Sequence, residues 1–163
     1  MNAKEYLLQV GMIDAKLKII DANISRIRKE LKGIGDISVT SSWPDGQPHG
    51  TKTTDPTGRK ATKLADMYNI RRDALVKSLT ELEYDQIMTR SQLWKKRMEV
   101  LEKIQEVYVP DDAMSSVYFR LLTMRYIEGS SFETIAEDIG YTWRHTIRLH
   151  EEALARMEAI LNG

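Results

Sequence analysis

From Val10 to Leu31 the apolar residues Val10, Ile13, Leu17, Ile20, Ile24, Ile27 and Leu31 recur three and four positions apart. An α-helix gathers such positions onto one stripe, whereas a strand alternates its faces at every residue. The residues between are mostly polar, Lys16, Lys18, Asp21, Arg26, Arg28 and Lys29 among them. A helix of this kind is unstable alone and must lay its stripe on another helix. A second stripe of the same period follows in Leu64, Tyr68, Leu75, Leu79, Leu82, Leu93, Val100 and Ile104, widened towards its end by Trp94, Met98 and Leu101. That extra width calls for more than one neighbour, either the C-terminal part of the chain or a second subunit. The expectation is an all-α chain with two long antiparallel coiled-coil-like helices, over residues 1–33 and 62–109.

Asn2 followed by Glu5 is the reciprocal capping pattern for the start of the first helix. Gly33 and Gly35 end it, and residues 34–61 have turn formers and no helical period, so they read as a flexible linker. Within the linker, "GQPHGTKT" invites comparison with a phosphate-binding loop. That motif needs four residues between its glycines and a Lys directly after the second; here only three residues lie between Gly46 and Gly50, and Thr51 intervenes. A nucleotide site is not expected.

Composition narrows the chemistry. The 163 residues carry 24 Lys and Arg against 24 Asp and Glu, so bulk charge cannot drive binding to nucleic acid, and any such binding has to be local. With no cysteine there are no disulfides, no thiolate nucleophile and no zinc site with sulfur ligands. No apolar run reaches the length of a membrane span and the start "MNAKEYLLQV" has no signal-peptide pattern, which points to a cytoplasmic protein without a membrane partner. The three histidines, His49, His145 and His150, form no metal pair, since the last two lie on different sides of one helix. No Ser/His/Asp context or spaced carboxylate pair is present either. A non-enzymatic protein with no cofactor and no metal is expected.

Val109-Pro110-Asp111-Asp112 breaks the second helix and opens a compact unit over residues 110–163. Three helices are expected there, at about 112–128, 131–139 and 142–161. Ser130 with Glu133 forms a capping box for the middle one, which buries Ile135, Ala136 and Ile139. Gly140 supplies a sharp turn, and Thr142 caps the last helix. This is the sequence form of a helix-turn-helix, whose second helix enters the DNA major groove. On that helix Leu149, Ala153, Leu154, Met157 and Ile160 should face inward, with Thr146 at the edge. Trp143, Arg144, Ile147 and Arg148 then point outward together, in pairs four residues apart. Arg can grip guanine O6 and N7, and an apolar side chain can meet a thymine methyl. With Thr142 and His145 from the same helix start, these four make the candidate DNA-binding set.

Gly140-Tyr141-Thr142, Arg144, Arg148, His150 and Ala153-Leu154, preceded by "RYIEGSSFETIAEDIG", resemble the C-terminal helix-turn-helix of phage late-transcription regulators of the ArpU and RinA type, which in turn resemble the promoter-reading domain of bacterial sigma factors. The regulators share the plan of an N-terminal helix, a polar linker and a long second helix. The resemblance implies a phage or prophage protein acting in the bacterial host cytoplasm. It would bind promoter DNA, activate late genes, and have host RNA polymerase as a possible partner. Two positions depart from the pattern. Thr146-Ile147 stands where an apolar residue followed by a polar one is expected, which implies either an apolar side chain one place nearer the DNA face or a slight rotation of the helix. Trp143 occupies a position that is Arg in sigma factors, so the DNA sequence read should differ.

Residues 111–163 hold five Arg against nine acids, a net of −4, so this unit alone should bind DNA weakly. Residues 50–72 hold six basic residues against two acids, a net of +4, which makes Lys52, Arg59, Lys60 and Lys63 candidates for phosphate contacts. Three functional classes follow: a DNA-binding regulator, dimeric through its coiled-coil helices; a protein-interaction scaffold using the acidic C-terminal unit; and a small-terminase-like subunit that recognises DNA.

Overall fold

The computed structural model describes residues 2–35 and 56–163, and the fold is all-α, with no strand among the described residues. The first helix, α1 (Ala3–Gly35), starts where Asn2 caps it. The Asn2 side-chain oxygen accepts from the backbone N–H of Lys4 at 2.9 Å and of Glu5 at 3.4 Å, donors that have no partner inside a helix. The second helix, α2 (Pro56–Gln105), begins at Pro56 instead of Thr62, so residues 56–61 of the expected linker are helical. Proline suits the first helical position because its missing N–H would be unpaired there and its fixed φ is already helical. The rest of that expected linker, with the Gly46–Gly50 stretch and Lys52, lies outside the described residues.

The chain forms two compact units, and both long helices contribute to each. In the unit of residues 20–86, Gln86 donates to Asp21, Arg28 pairs with Glu83 at 2.7 Å, and Arg71 Nε lies 3.1 Å from Glu30. Partners advance along α1 as they retreat along α2, so the helices run antiparallel. Ile20, Ile24 and Ile27 are buried in this hairpin, while Leu75, Leu79 and Leu82 are half-buried. The stripe of α1 is therefore covered within a single chain. The exposed ion pairs beside it set register more than they add stability.

The other unit, residues up to Ile19 together with Ile87–Gly163, holds the main hydrophobic core. Leu7 of α1 is fully buried, because the three-four stripe starts further forward, at Ala3 and Leu7, than the sequence pattern from Val10 suggests. Tyr6 donates to Glu99 at 2.8 Å and carries Lys96 Nζ over its ring at 4.4 Å, which ties α1 to α2 at this end. Burial and then the Glu99 carboxylate push the Tyr6 hydroxyl well above its ordinary pKa.

After Pro110, Asp112 caps α3 (Ala113–Thr123) by accepting from Met114 N–H at 2.9 Å. The helix continues as a π-helical segment, Met124–Glu128, and Gly129 closes it with a φ of 78°. Then come α4 (Phe132–Ile139) and α5 (Trp143–Asn162), and the helices α3, α4 and α5 pack against one another. Leu121, Ile135, Leu149 and Met157 are fully buried between them. Each such side chain contributes ~1.5–3 kcal/mol through the apolar surface it removes from water. No helix among the described residues is long and apolar enough to cross a membrane.

Candidate nucleic-acid interface

The first anchor of the site is the start of α4. Its cap is Ser131, whose Oγ accepts from Thr134 N–H at 3.2 Å, one place later than the expected Ser130. Ser130 is already committed to the preceding turn: its N–H donates to the Met124 carbonyl at 2.9 Å, and its carbonyl accepts from Arg125 Nη1 at 2.9 Å. Glu133, in the first turn of α4, is held below the usual carboxylate range by its own backbone N–H and then by Ser131.

Gly140 ends α4 with a φ of 74°, a left-handed conformation that strains any residue with a Cβ. The next N–H, from Tyr141, donates to the Ala136 carbonyl at 3.0 Å. Thr142 then caps α5, its Oγ1 accepting from His145 N–H at 3.4 Å. Three residues thus carry the chain from α4 into α5.

Behind α5, Thr146, Leu149, His150, Ala153 and Met157 are buried, and Leu154 and Ile160 are half-buried. Thr146 is fully buried, not at the edge. Its hydroxyl donates to the Thr142 carbonyl at 3.1 Å, so a polar residue serves as core without an unmet hydrogen bond, and no rotation of the helix is needed. His150 is the brace on this side. Its Nε2 shares a 2.9 Å hydrogen bond with the Tyr126 hydroxyl, and its ring stacks on Tyr126 and meets the Phe132 ring edge-on at 5.1 Å. Burial, with Arg125 and Lys4 adding to it, pushes the imidazole down to a pKa of about 4, so it is neutral near pH 7.

The outer side of α5 carries the six expected residues. Thr142, Trp143, Arg144 and Arg148 are exposed, and His145 and Ile147 are half-buried. Arg144 and Arg148 lie one turn apart on one face. Arg148 Nη2 is 2.8 Å from His145 Nδ1, and its Nε is 3.8 Å from Glu152. A guanidinium only donates, so Nδ1 of His145 accepts and the ring proton sits on Nε2. The Tyr141 and His145 rings meet with centroids 4.8 Å apart, which extends this row to the turn. Among the described residues Arg144 forms no hydrogen bond or ion pair with its side chain, so its five N–H donors are free for a ligand.

No protein-family model, no curated protein and no solved structure matches the chain. Chemistry and geometry carry the functional reading.

Of the candidate phosphate contacts, Lys60 and Lys63 are exposed near the start of α2, in the unit of residues 20–86. Lys52 and the side chain of Arg59 lie outside the described residues. Arg71 is paired with Glu30, which removes part of the +4 counted for this segment. Two cations that the sequence pattern does not single out stand near α5 in its own unit. A shallow hollow beside Ile147 is lined by Lys4 of α1 and Arg125 of the π-helical segment, together with Phe132, His150 and Glu151. Arg125 also lies 4.6 Å over the Phe132 ring. Nothing in the sequence near residue 147 signals them, because only the fold brings residues 4 and 125 to the side of α5.

Proposed function

We propose that this chain binds double-stranded DNA sequence-specifically, that the first two turns of α5 read base edges in the major groove, and that it acts as a transcription regulator. The observation that carries this reading is the Arg144–Arg148 pair: two exposed guanidiniums one turn apart, on a helix whose opposite face is buried and whose start is fixed by the Gly140–Thr142 turn. Each guanidinium can bond guanine O6 and N7 together, while Trp143 and Ile147 offer apolar contact to thymine methyls or sugars. Lys4, Lys60 and Lys63 supply phosphate contacts that position the helix without reading sequence. The resemblance to phage late-transcription regulators extends the proposal to activation of late genes with host RNA polymerase as partner.

A second reading has one observation in its favour. The −4 balance of residues 111–163 suits a basic protein partner better than a polyanion. Selection of bound duplexes from a random-sequence DNA pool, followed by fluorescence anisotropy at several salt concentrations, separates the two. Enrichment of a defined motif, with affinity falling as salt rises, is the expected result. Absence of any enriched motif, together with salt-independent retention, would favour the protein-interaction reading.

A further inference from the structure

Along the outer face of α2, Ile87, Ser91, Trp94, Met98, Leu101 and Gln105 recur four, three, four, three and four residues apart. Ile87, Trp94 and Met98 are 65%, 66% and 42% exposed, an unusual load of large apolar surface for one helix face. These positions are distinct from Leu93, Val100 and Ile104, which α2 buries in the core of the same unit. A 3.5-residue period is the spacing that keeps a seam facing a partner helix, since knobs at these positions enter holes on a helix of the same pitch.

We propose that the C-terminal part of this face, from Trp94 to Gln105, is a two-fold antiparallel dimerisation seam whose occupant is a second copy of this chain. The charges flanking the seam choose both partner and direction. Arg90 lies on one flank, Lys95 and Glu102 on the other, and among the described residues none of the three forms an ion pair within the chain. In a parallel pair, flanking residues five apart meet across the seam, which sets Arg90 against Lys95 of the second copy, two like charges, while Arg97, which would meet Glu102, already lies 3.7 Å from Asp14 of its own chain. In an antiparallel pair with Met98 opposite Leu101, Lys95 of each copy comes beside Glu102 of the other. Symmetry makes that bond twice. The same register sets the Trp94 indole N–H near the Gln105 amide. One stripe that carries its own complementary charges needs no foreign partner. The proposal does not depend on DNA binding, and its test contains no DNA.

Sedimentation velocity of the full chain across the micromolar range should show a dimer. Trp94→Glu and Met98→Glu should each give monomer with unchanged helical circular dichroism, because neither side chain belongs to the buried core. Lys95→Glu and Glu102→Lys should each weaken the dimer at least several-fold, and the double exchange should restore it. A spin label on Met88→Cys in this cysteine-free chain then reads direction: about 35 Å between labels for the antiparallel register, by the helical rise over 23 residues, and well under half that for a parallel one. A wild type that stays monomeric, a dimer that survives Trp94→Glu, or a short Met88 distance would overturn the proposal.

Discussion

Arg144 and Arg148 differ at the level of single atoms, and substitution should register the difference. Arg148 is pre-oriented by His145 Nδ1 and lies near Glu152, whereas Arg144 has no side-chain partner among the described residues. If both read bases, Arg144→Ala and Arg148→Ala should each weaken specific binding by about 1–3 kcal/mol and relax preference at one base position, with the melting temperature unchanged. His145→Ala should have a smaller effect in the same direction, by loosening Arg148 alone; equal affinities for all three variants and wild type would remove the outer face of α5 from the DNA surface. His150 acts at the same scale on stability. Its folded pKa, about 4, lies below the ordinary value near 6.5, so between those pH values the unfolded chain binds the extra proton. Stability from this group is therefore complete above pH 6.5 and is lost as pH falls towards 4. His150→Gln keeps a partner for the Tyr126 hydroxyl but does not titrate. Its melting temperature should fall less than that of wild type between pH 6.5 and 4, a window above the range in which Asp112 and Asp138, both lowered by their Arg partners, take up protons.

Elements are set by short signals, and these were the most legible part of the sequence. Asn2 and Thr142 cap the helices they were expected to cap, since the donor and acceptor sit within three residues of each other. Gly129 and Gly140 have the left-handed φ that ends a helix, with open space where a Cβ would go. Gly140→Ala should thus cost about 1–2 kcal/mol from backbone conformation alone, and Thr142→Ala about 1 kcal/mol from the lost cap. Both should appear in thermal melts, and DNA affinity should drop only as far as folding does. Signals that depend on tertiary placement were not legible. Ser130 looked like a cap until the closing turn of the π-helical segment claimed its N–H and carbonyl. Thr146 looked like an edge residue because its hydroxyl's partner, one turn back, is backbone and invisible in a pattern of side chains. The α1 stripe showed its period but not its partner. Because α2 covers Ile20 and Ile24 in the same chain, Ile20→Asp with Ile24→Asp should melt the hairpin, seen as lost helical signal, since an unpaired charge there cannot be solvated.

At the scale of the whole molecule the constraint is charge. The chain is neutral, with 24 basic and 24 acidic side chains, so attraction to DNA has to come from where the cations stand. Arg120 and Arg156 are engaged with Asp138 and Asp112, and Arg71 with Glu30, so these three are taken up within the chain. Lys60 and Lys63 in one unit and Lys4 in the other are exposed and without ion pairs. A phosphate contact releases about 0.9 counterion, so each one adds roughly one unit to the slope of log affinity against log salt. Lys60→Ala with Lys63→Ala should then flatten that slope by about two units and weaken binding to every duplex alike. Lys4→Ala should flatten it by about one. Neither change should alter which motif is selected, whereas the Arg144 and Arg148 variants should alter the motif and act on affinity beyond any change in slope. The two responses belong to different physics, ion release along the backbone and directed hydrogen bonds to base edges. If the lysine variants instead change the selected motif, or leave the slope untouched, these side chains do not lie on phosphates, and the positioning of α5 must come from Arg125 and the turn at Gly140–Thr142.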